Sequence, residues 1–513
     1  MNVRPVLSLI ALSLMAGHAA AQSRTPLADG AVRSVSDSLA NTSLGQISDG
    51  QSNTFLLSEG GSTRTDATLT GAVTQISNGG GQSLLVGSTD LVNSPDAVVE
   101  THALVSGTVL QRQAGGGTGS SQGLKVGSVD GNIGVSARTD GTLTGNLTQI
   151  QTGTDSDSQT HAQFVAIASV RNARTVSNTK GLVTGAVLQS QNGSNDASQS
   201  IAVGSIDGVN ATAVSTDGLV SGRLSQSLTT GSRGDQTIDV ASVRNSNGQS
   251  FTLKGQIAGD IDQQSSSGGF ANQAVQVGSA GQVNGRASGQ TDGFLGANVV
   301  QRMVGGTGAT QRLSVATLGG SLEGLIDTHG AVLGTVTQTN QSVGTGTIQA
   351  IDVGTVRDTF VGSVRTSALL TGPVSQHIGG ASGQVAQRFE LGAVHNSNAG
   401  TVTTNAVMAG ALTQSVSGLT NGSRQLVSIA SLDSASGSSL QANAQVVGDI
   451  TQTANAAPAF GAARRQEISL GDIQTAGANL TTNVTVTGAI VQTDIASSGG
   501  RAVNQIIVVG SIR

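Results

Sequence analysis

Glutamine is the residue type in this 513-residue chain whose chemistry recurs at a fixed spacing. A side-chain amide donates and accepts hydrogen bonds but carries no charge, so it is no nucleophile, acid or base; it can pair with a copy of itself. One series closes the motif Thr-x-small-x-φ-x-Gly-x-φ-x-Gln, where φ is aliphatic or Met. It falls at Gln75, Gln111, Gln149, Gln189, Gln226, Gln263, Gln301, Gln338, Gln376, Gln414, Gln452 and Gln492. A second series opens Gln-x-φ-x-φ-[Gly/Ala]-[Ser/Thr]-φ at Gln82, Gln122, Gln163, Gln199, Gln236, Gln273, Gln311, Gln349, Gln387, Gln425, Gln466 and Gln505. From 75 to 492 there are eleven steps, a mean period of about 38 residues.

The titratable groups have no such order. His102, His161, His329, His377 and His395 recur at no repeat position and follow no metal-ligand spacing, so surface loops and strand edges are their expected places. Asp90, Asp130 and Asp207 follow the second motif and read as turn residues rather than as a pair of catalytic carboxylates. The Gly-rich runs at 115–119 and 305–308 lead into neither Lys-Ser/Thr nor a helix, which excludes a phosphate loop, and they lack the Asp of a calcium-binding repeat. Arg233-Gly234-Asp235 matches the integrin-binding tripeptide, yet lies in a segment of variable length. No catalytic, cofactor-binding or metal-ligating residues are predicted, and the chain is expected not to be an enzyme.

The elements that position the glutamines follow from parity. In Thr216-x-Gly218-x-Val220-x-Gly222-x-Leu224-x-Gln226 the named residues share one face, the apolar one, and such period-2 alternation is the mark of a strand. A buried amide left unpaired costs about 1–3 kcal/mol. Stacking identical strands removes that cost, because each Gln then bonds to its copies one rung above and below. The 24 positions are therefore predicted to form two internal ladders.

In the second motif the apolar parity slips at the Gly/Ala-Ser/Thr pair, which predicts a corner there. A bend is also expected near the Thr-x-small triplet, as at Thr139-Asp140-Gly141. The fold class is all-β, a repetitive β-solenoid of stacked parallel rungs, twelve repeats over 62–513. One rung per repeat gives a stack of roughly 60 Å, and two rungs would double it. Residues 22–61 are polar and carry only the echo Leu44-Gly45-Gln46-Ile47, a degenerate cap.

Composition narrows the class. Tyr, Trp and Cys are absent, Phe numbers 8, and charged residues make up 11%, so the core must be thin and aliphatic, with no disulfides. A net charge of −5 gives no field for nucleic acid. No stretch is long and apolar enough for an integral membrane span, and the missing Tyr and Trp girdles speak against an outer-membrane barrel. Met1 to Ala21 reads as a signal peptide, with Arg4, an apolar run from Val6 to Ala16 and a small-residue cleavage site. Export to the surface of a bacterium or beyond is expected.

Through segments such as Gly185-Ala186-Val187-Leu188-Gln189 and Gln199-Ser200-Ile201-Ala202-Val203, the repeat region resembles in style the curlin-type subunits of bacterial extracellular fibres. That resemblance implies a structural role in a surface fibre, matrix or adhesion assembly. The partners expected are further copies, stacked end to end, or other surface and matrix proteins. The alternative is a solenoid that binds a surface polysaccharide through loops such as Gly153 to Ser158 and Ala456 to Arg465. An outer-membrane or enzymatic β-repeat protein stands third.

Overall fold

The computed structural model describes residues 62–512, apart from short internal stretches such as 91–97, 115–120, 154–159, 284–287, 459–463 and 496–502. The expected signal peptide and the degenerate cap at 22–61 lie outside the described residues. From residue 62 onward the described chain is a β-solenoid of parallel strands with no helix. No helix among the described residues is long and apolar enough to cross a membrane.

One repeat makes one rung of four strands. A representative rung runs through Asn247–Ile257, Ile261–Ser267, Ala271–Val277 and the two-residue strand Ala280–Gly281. The next repeat begins the same cycle at Ser288–Leu295. Equivalent positions pair in parallel: Leu253 with Thr291, Gln263 with Gln301, Gln273 with Gln311, and Ala280 with Leu318. First and fourth strands make one sheet, and second and third strands make the other.

Two corners shape the coil. At the first, between first and second strands, glycines stack on one another. A Cβ on Gly222 would stand 2.0 Å from the carbonyl oxygen of Gly185, one rung below, so only glycine admits this approach. At the second, between third and fourth strands, the Gly/Ala of the second motif is left-handed, with φ from 48° at Ala168 and Ala430 to 63° at Gly392. That backbone turn is what shifts the apolar parity seen in the sequence.

The expected bend at Thr-x-small is not there. The first strand runs unbroken from Ser136 to Leu143 across Thr139-Asp140-Gly141. The triplet instead serves the neighbouring corner. Thr139 Oγ1 donates to the Ala168 carbonyl at 2.7 Å, as Thr179 does to Gly204 at 2.6 Å and Thr216 to Ala241 at 2.9 Å. The small residue makes room, since a Cβ on Gly141 would lie 2.5 Å from the Val126 carbonyl oxygen and 2.7 Å from the Ala168 nitrogen.

This row of threonines and corners runs between two aliphatic columns. The larger takes Ile257, Ile261, Val275 and Val277 from the representative rung, each at most 1% exposed. The smaller lies under the fourth strand and takes Phe251, Leu253 and Ala280. Burying a side chain of the larger kind contributes about 1.5–3 kcal/mol. The thin aliphatic core expected from composition is therefore repeated rung by rung.

Candidate functional site

The predicted ladder is continuous. In the first series, each Gln Nε2 donates to Oε1 of the preceding rung's Gln over all eleven steps from Gln111 onto Gln75 to Gln492 onto Gln452, at 2.6–2.9 Å. The second series does the same from Gln122 onto Gln82 to Gln505 onto Gln466, at 2.7–3.0 Å. Every bond points the same way along the stack.

A second hydrogen bond, made by the ladder amides other than Gln505, ties the two columns together. Gln226 Nε2 also donates to the Thr237 carbonyl in its own rung at 3.2 Å, and Gln236 Nε2 to the Gln264 carbonyl in the next rung at 3.0 Å. Gln226, Gln236, Gln263 and Gln273 are 0% exposed, so these bonds form away from water. Parity explains the placement: Leu224 and Gln226 face inward together, directly after the glycine corner that fixes the strand's start. Such an arrangement can hold register and stiffness. An amide paired on both sides has no proton to exchange with a substrate.

A short third column escaped the sequence reading. Gln113, Gln151 and Gln191 stand two residues beyond first-series glutamines, in register, and are at most 5% exposed. The next rungs place Leu228, Ser265 and Met303 at this position and only Asn340 restores an amide, so the glutamines run over three rungs and no period reveals them.

The histidines are not all superficial. His161 is buried, with Nδ1 3.0 Å from Gln151 Nε2. His329 pairs with Asp292 at 3.1 Å and is half exposed, not at a strand edge but on the outward face of a strand paired on both sides. His395 belongs to an ionic cluster on the outer flank of the second corner, with Nε2 3.2 Å from Glu390 and Nδ1 3.4 Å from Asp433. Arg357 also bonds Glu390, while Arg388 bonds Asp352 at 2.8 Å. Burial works to raise Glu390, but His395, Arg357 and Arg388 outweigh it and bring its pKa down to about 2. Burial likewise works to lower His395, yet its bonds to Asp433 and Glu390 carry it up to about 9.

The cluster follows a pattern that the sequence did contain. Residues three and eight positions beyond the second Gln face each other across the corner, as in Lys125 with Asp130, Asp239 with Arg244, and Asp352 with Arg357. The positions after the corner are thus short fourth strands, not turns, and Asp130 and Asp207 point into ion pairs and amides instead of capping a loop. In Arg233-Gly234-Asp235 the two charges pair with each other at 3.0 Å. Of the loops singled out for glycan binding, 154–158 and 459–463 lie outside the described residues, as does the Gly-rich run 115–119. Among the described residues, no group of three or more His, Asp or Glu is arranged to hold a metal.

Comparison with protein-family models, with characterised proteins and with solved structures finds no match to this chain.

Proposed function

We propose that the chain is an exported, non-enzymatic structural rod of the bacterial surface or extracellular matrix, serving adhesion or biofilm-type assembly. The observation that carries the reading is the pair of unbroken, one-directional amide ladders. They add two buried side-chain bonds per rung to the backbone pairing, for example Gln263 onto Gln226 and Gln273 onto Gln236, and so favour a stiff, extended particle over a deformable one. Direction matters too. Each rung presents amide acceptors on one side and donors on the other, so a second copy stacked head to tail meets complementary groups, which supports end-to-end assembly with itself. The likeness of its repeats to curlin-type subunits points the same way.

Negative-stain microscopy of the purified mature chain tests the reading. Rods about 60 Å long, or filaments built from them, with a cross-strand reflection near 4.7 Å along the long axis, are expected. Compact, unelongated monomers at every concentration, or a deletion strain with unchanged surface attachment, would contradict it.

A further inference from the structure

A trench runs along the flank of the second corner, between the outward residues of the third strands and those of the fourth. Four rungs fill it with facing charged pairs, Lys125 with Asp130, Asp239 with Arg244, Asp352 with Arg357 and Glu390 with His395, and others place one long or charged side chain on the fourth strand. Two consecutive rungs do not, because Gly281 and Gly319 stand where other rungs place Arg171, Arg244, Arg357 or His395. Neither glycine is demanded by the backbone. A Cβ on Gly281 would meet nothing within 4 Å, and one on Gly319 only the Ala280 carbonyl oxygen at 3.9 Å. Neither has a left-handed φ. The missing side chains open a cavity of about 840 Å3.

Its lining is charged, with both signs, and hydrogen-bonding. Gln276, Ser314 and Thr317 line it with Arg312, Arg357 and Arg388. Arg357 and Arg388 are neutralised by Asp352 and Glu390. Asp358 also lines the cavity and accepts from the Asn396 amide at 3.0 Å, so both signs are present, and exposed Arg312 is the lining guanidinium that takes part in none of these pairs. Beyond the bonded pair Arg244 and Asp239 the trench continues into a second cavity of about 530 Å3, where Lys125 stands 5.9 Å from the face of Phe164 and Asp130 and Asp207 also line the wall.

The size falls in the range that takes an organic ligand and exceeds what one small anion fills. A guanidinium fork suits a carboxylate, and amides and hydroxyls suit a polyhydroxylated partner. We propose that the cavity over Gly281 and Gly319 binds a uronate unit of an acidic polysaccharide, its carboxylate on Arg312. The site sits on the trench wall rather than on the variable loops, and it does not depend on whether the rods polymerise.

The test is isothermal titration of the full mature protein with a mannuronate hexasaccharide. Saturable binding is expected, weakened at least tenfold for the neutral methyl ester of the same chain. Arg312→Ala should weaken it at least tenfold, and so should the cavity-filling pair Gly281→Gln and Gly319→Gln. The fold accepts that filling residue, since Gln474 holds the same position in a later rung, and unchanged melting of each variant checks it. Absence of saturable binding, equal affinity for ester and acid, unchanged affinity in either folded variant, or displacement by inorganic phosphate at equal concentration would each overturn the proposal.

Discussion

Replacing ladder glutamines by leucine gives an energetic signature that surface glutamines could not give. In Gln226→Leu, the ladder is cut at two ends: Gln189 Oε1 loses its donor and Gln263 Nε2 loses its acceptor. Each orphaned buried group costs about 1–3 kcal/mol. The leucine returns part of this through its own burial, about 1–2 kcal/mol, leaving a net loss of about 1–4 kcal/mol. Adding Gln263→Leu does not create a second gap. It moves one cut end from Gln263 to Gln301, so the double variant should be nearly as stable as the single one. Gln226→Leu with Gln376→Leu, four rungs away, makes two separate gaps and should cost about twice as much. Urea unfolding followed by far-UV circular dichroism measures this, since the chain has no Tyr or Trp for fluorescence, and a nearest-neighbour analysis suits a repeat stack. If adjacent and distant double variants lose stability equally, the ladder is not a coupled network and the reasoning fails.

Three further outcomes follow from the same geometry. Gly222→Ala forces a Cβ to 2.0 Å from the Gly185 carbonyl oxygen and should cost about 3 kcal/mol or more, whereas Gly281→Ala points into open space and should leave the melting temperature unchanged; equal effects would refute the stacked corner. Thr216→Val strips the Ala241 carbonyl of its hydroxyl donor and should lower stability by about 1–2 kcal/mol, read from the urea midpoint. The ionic cluster predicts a pH window. Glu390, depressed from 4.5 to about 2, contributes stability above its ordinary value that is lost as pH falls toward 2. His395, raised from 6.5 to about 9, contributes stability below its ordinary value that is lost as pH rises through 9. Melting should therefore be highest between pH 4.5 and 6.5 for this cluster, and His395→Gln should flatten the alkaline limb between 6.5 and 9; identical alkaline limbs in both proteins would contradict the assignment.

Much of this architecture was legible because a stack repeats its constraints. Gln226 and Gln236 recur with their aliphatic neighbours at one parity, and parity alone places them inside. The left-handed corner at Ala241 was legible too, as a slip in that parity at a small residue. What escaped depended on contacts between distant segments. Thr216 shares a face with Gln226, yet its partner is the Ala241 carbonyl, 25 residues on, and nothing local says that it braces a corner instead of bending a strand. The trench was hidden for another reason. Its facing positions carry Asp239 and Arg244 in one rung, Gln276 and Gly281 in the next, so charge varies where shape is constant. Gly281 looks in sequence like any loop glycine, and only the open space above it shows that its side chain is missing from a row.

The central claim is that glutamine amides hold the rungs together away from water, and their hydrogen exchange tests it most directly. In protein labelled with ¹⁵N at the glutamine side chains, the ladder amides, such as those of Gln226, Gln236, Gln263 and Gln273, should exchange far more slowly than the exposed amide of Gln264 and should form a separate class. A single population exchanging at the rate of free glutamine would contradict the account.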